Sequence, residues 1–139
     1  MNLNINMDIN NEQKAFVASA KQFAQEYITD NALDWDKNEN FPKEVFKKSA
    51  EYGFAGIYVP EDQGGSGLNR HDASLIFEEL AYACPSTSAF LTIHNMTAWM
   101  LCNYGSKELK KKYMESITSM KNIASYCLTE SGSGSDANA

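Results

Sequence analysis

The chain has 139 residues, 43% hydrophobic and 22% charged, with a formal net charge of −6 at pH 7. That length accommodates one domain that buries about two thirds of its unfolded surface, so a core forms without disulfide or metal staples. The acidic balance argues against a nucleic-acid partner, because the one basic cluster, Lys110-Lys111-Lys112, reads as a solvated helix face.

No apolar run reaches the roughly eighteen residues of a membrane span. Residues 1–10 contain neither Lys nor Arg and no apolar core segment, so they are read as a disordered N-terminus without a signal or transit peptide. Asn10 and Gln13 have the spacing of a capping box, and Phe16, Ala20, Phe23 and Tyr27 then form one apolar stripe of a first helix. Residues 31–40 are polar apart from Leu33 and Trp35 and read as turns. Pro42 opens a second helix that turns Val45, Phe46 and Ala50 inward, and Gly53 sits where a left-handed cap would end it. The apolar residues 54–60 close on Pro60 and are expected to form an extended connector. Gly64, Gly65 and Gly67 follow in a loop that could cradle a phosphate, yet no Lys-Ser/Thr pair or βαβ context accompanies them, so a structural turn is the expectation.

A third helix runs from Asn69, carries Ala73, Ile76, Leu80 and Cys84 at helical spacing, and breaks at Pro85. The fourth, from Ser86 to Tyr104, is apolar on several sides (Phe90, Leu91, Ile93, Met96, Trp99, Met100, Leu101) and should be central. Gly105 ends it, and Ser106 caps a fifth helix with Leu109, Tyr113 and Ile117 on its buried stripe. Cys84, Cys102 and Cys127 lack metal or redox spacing and read as reduced core thiols. His71 and His94 fall on different helices and supply too few ligands for a metal, so none is expected. His94 reads as a hydrogen-bonded buried or pocket-lining group.

Residues 123–128 form the one β-prone run, and a Gly-Ser turn flanked by Glu130 and Asp136 follows. Glycines admit close approach of backbone N–H groups, and hydroxyls add donors suited to an anionic cofactor; a flexible linker has the same composition. The two carboxylates read as local backbone acceptors rather than as a general acid and base.

Tyr126-Cys127-Leu128-Thr129-Glu130-Ser131-Gly132-Ser133-Gly134-Ser135-Asp136 resembles the signature of the acyl-CoA dehydrogenases, flavoenzymes that desaturate the Cα–Cβ bond of acyl-CoA thioesters. Gly53-Phe54-Ala55-Gly56-Ile57-Tyr58-Val59-Pro60, Gly64-Gly65-Ser66-Gly67-Leu68 and Ile93-His94-Asn95-Met96-Thr97-Ala98-Trp99-Met100 resemble the same family in the same order, so the likeness covers residues 11–139. Within the family the pattern is similar to the members acting on short branched-chain acyl-CoA in valine breakdown. The resemblance implies an all-α N-terminal helical domain over residues 11–120 and the first strand of an incomplete middle β domain over residues 121–139. It implies FAD as cofactor, bound by residues Tyr126 to Ser135, with Thr129 facing the flavin ring and Ser135 shared with the substrate. Phe90 and His94 would border the acyl chain. Ser131 stands where the family usually has proline, which frees that backbone φ.

The family's glutamate base lies in a C-terminal region with no counterpart here. No catalytic residue is therefore assigned, and the chain by itself is expected to be inactive. An acyl-CoA substrate, electron-transfer flavoprotein as electron acceptor, a homotetramer and the mitochondrial matrix are further implications of the family; without a visible address, the chain as given would be cytoplasmic. Alternatives are an idle helical interaction module or a piece of an enzyme for straight short-chain substrates.

Overall fold

The computed structural model describes residues 8–138. The reading of residues 1–10 as disordered lies outside these for residues 1–7, and Asn10 belongs to the fold as a helix cap. Helices α1 (Asn11–Tyr27), α2 (Ala32–Lys37), α3 (Lys43–Glu51), α4 (Arg70–Ala83), α5 (Pro85–Tyr104) and α6 (Lys107–Thr118) follow in order, with a 3-10 turn at Glu61–Gln63. α1 packs on α4, α4 on α5 and α5 on α6.

The expected capping box is present. Asn10 Oδ1 accepts from the Gln13 N–H at 2.8 Å, and the Asn10 N–H donates to Gln13 Oε1 at 3.1 Å. α4 starts the same way, with Asn69 Oδ1 accepting from the Asp72 N–H at 3.1 Å. The two boxes are joined, because Gln13 Nε2 donates to Asp72 Oδ1 at 2.9 Å and lies 3.2 Å from His71 Nδ1. One amide thereby serves the starts of two helices, and both Gln13 and Asp72 are buried.

The main core gathers Ala20, Phe23 and Ile28 with Phe46, Phe54, Ile57, Ile76, Leu80 and Leu91. A smaller cluster of Val59, Ala98, Cys102, Met114 and Ile117 lies between α5 and α6, with Ala124 packed against it. α5 is central as its apolar breadth predicts, since it faces α4 on one side and α6 on the other. Along α6 the buried residues are Met114, Ile117 and Thr118, while Leu109 is exposed, so the buried stripe is displaced from the expected one.

Several expectations are corrected. Residues 31–40 hold α2, closed by Asn38 Nδ2 donating to Asp34 Oδ1 at 2.8 Å; Trp35 packs on the core and supplies the burial that a polar segment otherwise lacks. Pro42 is the N-cap of α3 rather than its first residue. Residues 54–60 are bent into successive turns, not extended, and bury Phe54, Ala55, Ile57 and Val59. A buried loop must satisfy its own polar groups. Here Ser66, Gly67 and Leu68 donate their N–H groups to Gly56, Val59 and Ile57 carbonyls at 2.8–2.9 Å. The glycine loop is thus a packing loop: a Cβ on Gly65 would overlap the Val59 carbonyl and stand 2.5 Å from the Gly56 carbonyl. Gly53, at φ +78°, ends α3 in the left-handed region as predicted.

The β segment is the main correction. Among the described residues there is no β-strand; the sole pairing is an isolated antiparallel bridge between Glu130 and Ser133. Residues 123–128 have the side chains of a strand, but a strand exists only as a ladder between two segments, and no described segment pairs with this one. The all-α assignment for the helices stands. Cys84, Cys102 and Cys127 are all free thiols; Cys102 is buried and Cys84 half-buried, whereas Cys127 is exposed and so is not the core thiol expected.

Candidate functional site

α5 carries two adjacent polar residues that are completely buried, His94 and Asn95, each anchoring a different irregular segment. Asn95 Oδ1 accepts from the Ile57 N–H at 2.7 Å, and its Nδ2 donates to the Phe54 and Leu91 carbonyls at 2.8 and 2.9 Å. All three bonds fix the amide orientation, since a flipped group would set donor against donor and acceptor against acceptor. Asn95 falls within one of the family-like motifs but has no role legible there; Ile57 and Phe54, two of its three partners, lie 38 and 41 residues upstream, and local periodicity carries no sign of them.

His94 faces the other way. Its Nε2 lies 3.1 Å from the Ile117 carbonyl at the end of α6, and its Nδ1 lies 3.1 Å from the Ala124 N–H. A carbonyl only accepts and an amide N–H only donates, so the ring is the neutral tautomer with its proton on Nε2. Burial holds its pKa below the ordinary imidazole value, with the Ile117 carbonyl opposing that shift. Both ring nitrogens are therefore engaged within the chain. Phe90, one turn earlier on α5, is half-buried, in ring contact with Phe41 and Phe46 at 4.9 and 4.3 Å.

Beyond Ala124 the chain leaves the helices. Tyr126 and Ser133 are half-buried, and Cys127, Leu128, Thr129, Glu130, Ser131, Gly132, Gly134 and Ser135 are exposed. The turn is closed by reciprocal backbone bonds between Glu130 and Ser133, at 2.9 and 3.2 Å. Ser133 Oγ is turned inward onto the Asp136 carbonyl at 2.8 Å, and Asp136 Oδ1 accepts from the Asn138 N–H, a local acceptor role as expected. The hydroxyls of Thr129, Ser131 and Ser135 have no partner among the described residues, and a Cβ on Gly132 or Gly134 would meet nothing within 4 Å. The donor set fits an anionic, hydrogen-bond-accepting cofactor such as FAD: rotatable hydroxyls and unobstructed glycines on one short turn. What these residues do not supply is enclosure.

The sequence profile described as "Acyl-CoA dehydrogenase, N-terminal domain" matches residues 10–121. The chain belongs to the acyl-CoA dehydrogenase family. It is 54% identical over 134 residues to the mitochondrial isobutyryl-CoA dehydrogenase of Dictyostelium discoideum, covering 96% of this chain and 32% of that protein. It is 45% identical over 131 residues to the mitochondrial isobutyryl-CoA dehydrogenase of Bos taurus, covering 94% of this chain and again 32% of the relative. Among solved structures, an FAD complex of PigA superimposes with a TM-score of 0.86 at 33% identity, covering 96% of this chain and 36% of that one. The chain thus spans about a third of the length of the curated relatives it matches. The family likeness read from residues 126–136 and the three upstream motifs is borne out, and the fold is also found in the FAD complex of PigA. No helix among the described residues is long and apolar enough to cross a membrane.

Proposed function

We propose that this acyl-CoA dehydrogenase chain supplies the helical part and the cofactor-facing turn of an FAD-dependent enzyme that desaturates a short branched-chain acyl-CoA, isobutyryl-CoA or a close analogue. The observation that carries this reading is the turn itself: Thr129, Ser131 and Ser135 present hydroxyls without partners among the described residues, next to two unobstructed glycines. The high identity to isobutyryl-CoA dehydrogenases directs the choice of substrate class.

When bound, FAD supplies the hydride acceptor for Cα–Cβ desaturation. Thr129 would donate a hydrogen bond to the cofactor ring, and Ser135 would donate to the cofactor or to the CoA portion of the substrate. Tyr126, Cys127, Leu128, Glu130, Gly132, Ser133 and Gly134 shape the path between them. Directed donors of this kind stabilise charge as it develops on a bound group. Phe90 offers an apolar surface to the acyl moiety, and His94 acts from behind, through the main chain.

No group in this chain is assigned the role of α-proton base, so the chain alone is proposed to be inactive. Electron-transfer flavoprotein, a homotetrameric assembly and a mitochondrial setting are carried over from the family as part of the same proposal. The test is direct: the product of the complete reading frame should purify yellow and be bleached by isobutyryl-CoA, while residues 1–139 alone should show no turnover. A colourless full-length protein with no affinity for FAD refutes the assignment.

A further inference from the structure

We infer that His94 is a positioning residue: in its neutral form it locks the start of residues 124–138 onto the helical body, and protonation of Nδ1 releases that lock. The inference rests on the proposed cofactor role of residues 126–135, and it concerns what holds them in place.

The Ala124 N–H is the last main-chain group, among the described residues, that is hydrogen-bonded to the helices; later bonds are internal to the turn. Tyr126 stands two residues on, at most about 7 Å of extended chain. The direction in which the donor-bearing turn departs is therefore set at Ala124, and what fixes Ala124 is one ring nitrogen plus packing against the small cluster around Ile117 and Cys102. The same ring holds the end of α6 through the Ile117 carbonyl, so one side chain clamps both ends of the link formed by residues 118–123.

A proton on Nδ1 would turn an acceptor into a donor facing another donor at 3.1 Å, and the bond to Ala124 could not survive. Among the described residues no carboxylate bonds the His94 ring, whose two partners are main-chain groups. α5 contains no Asp, Glu, Lys or Arg. The cleft alongside Ile117 and Ala124 is lined by Lys43 and Lys47 of α3, Tyr113 of α6, and Lys121. Of the carboxylates on the neighbouring helices, Asp72 of α4 is bound by Gln13, Glu78 and Glu79 line the cleft shared with α1, Glu108 of α6 is held at Ser106, and Glu115 lines clefts on the side of Thr118. Burial holds the ring's pKa below its ordinary value of 6.5, so the lock is closed at and above that value and opens only as pH falls through the lowered pKa.

The test uses the isotopically labelled 139-residue chain. Ring nitrogen shifts at pH 8 should report the Nε2–H tautomer. Lowering the pH from 8 until His94 has titrated should then reduce the exchange protection factor of the Ala124 N–H at least tenfold, in step with that titration, and loosen the amides of residues 125–130. The Ile57 N–H, held by Asn95, should keep its protection. In His94→Asn a non-titrating Oδ1 replaces Nδ1 as acceptor, and the pH dependence at Ala124 should vanish. Protection at Ala124 that is flat with pH, that falls together with Ile57, or that stays pH-dependent in His94→Asn overturns the inference; should that variant not fold, the wild-type comparison of Ala124 with Ile57 still decides. Adding FAD separates this from the cofactor reading. If Ala124 behaves as described but the product of the complete reading frame binds no FAD at any pH, the lock stands and the cofactor assignment to this turn fails.

Discussion

Replacing Asn95 by alanine removes the only hydrogen-bond partner, among the described residues, of the Ile57 N–H and of the Phe54 carbonyl, both in the buried turns of residues 54–60. The Leu91 carbonyl remains in the helical ladder and loses little. Each buried group left unpaired costs about 1–3 kcal/mol, so the loss expected for Asn95→Ala is about 4 kcal/mol. Domains of this size are stable by roughly 5–15 kcal/mol, so the variant should lose a large share of its margin. Urea denaturation followed by helical circular dichroism measures this directly, with Tyr82→Ser on the exposed face of α4 as a control expected within about 0.5 kcal/mol of wild type. Asn95→Asp sharpens the test. Its carboxylate could still accept from Ile57 but would face two carbonyl oxygens at 2.8 and 2.9 Å unless protonated. Its deficit relative to wild type should therefore grow as pH rises above about 4 and be complete near neutrality. An Asn95→Ala chain within about 1 kcal/mol of wild type, or an Asp variant less destabilised at neutral than at acid pH, would show that the three bonds do not carry the burial of this connector.

Gly65→Ala should destabilise the chain by about 3 kcal/mol or more in the same denaturation assay, since two backbone carbonyls occupy the space its methyl needs. Gly134→Ala should leave stability within about 0.5 kcal/mol, because nothing surrounds that position, while weakening any FAD-induced shifts in residues 126–135. Gln13→Ala should cost about 2 kcal/mol, and a double-mutant cycle with Asp72→Ala should be strongly non-additive, as both side chains meet in one network. The stability that neutral His94 contributes should be fully present above pH 6.5 and decline as pH falls, visible as a lower urea midpoint at pH 5.5 than at 7.5 that is reduced in His94→Asn.

How far the sequence alone reaches is shown by neighbouring residues on α5. The breadth of apolar side chains there correctly predicts a central helix, because that signal is local and repeats every turn. In the sequence His94 reads as a hydrogen-bonded buried or pocket-lining group, while Asn95 has no role, because nothing near it in the chain indicates that Phe54 and Ile57 come within 3 Å. The capping boxes at Asn10 and Asn69 span only three residues, and the first was read directly; their junction through Gln13, spanning 59 positions, was not. α2 was missed because its residues are mostly polar and it gains its burial from one side chain, Trp35. The supposed strand fails for a different reason. Residues 123–128 have strand-forming side chains, but pairing is a relation between segments, and composition describes only one of them. At the candidate site, the order of residues in the turn pointed to the family, whereas the exposure of Cys127 and the inward hydroxyl of Ser133 became visible only with coordinates.

The amide of Gln13 has a consequence for how this protein can drift over evolutionary time. Because it completes the opening of its own helix while binding the acid that completes another, neither position is free to change by itself. Substitutions there should arrive in pairs, and lineages that lose the glutamine should also have abandoned the aspartate at position 72.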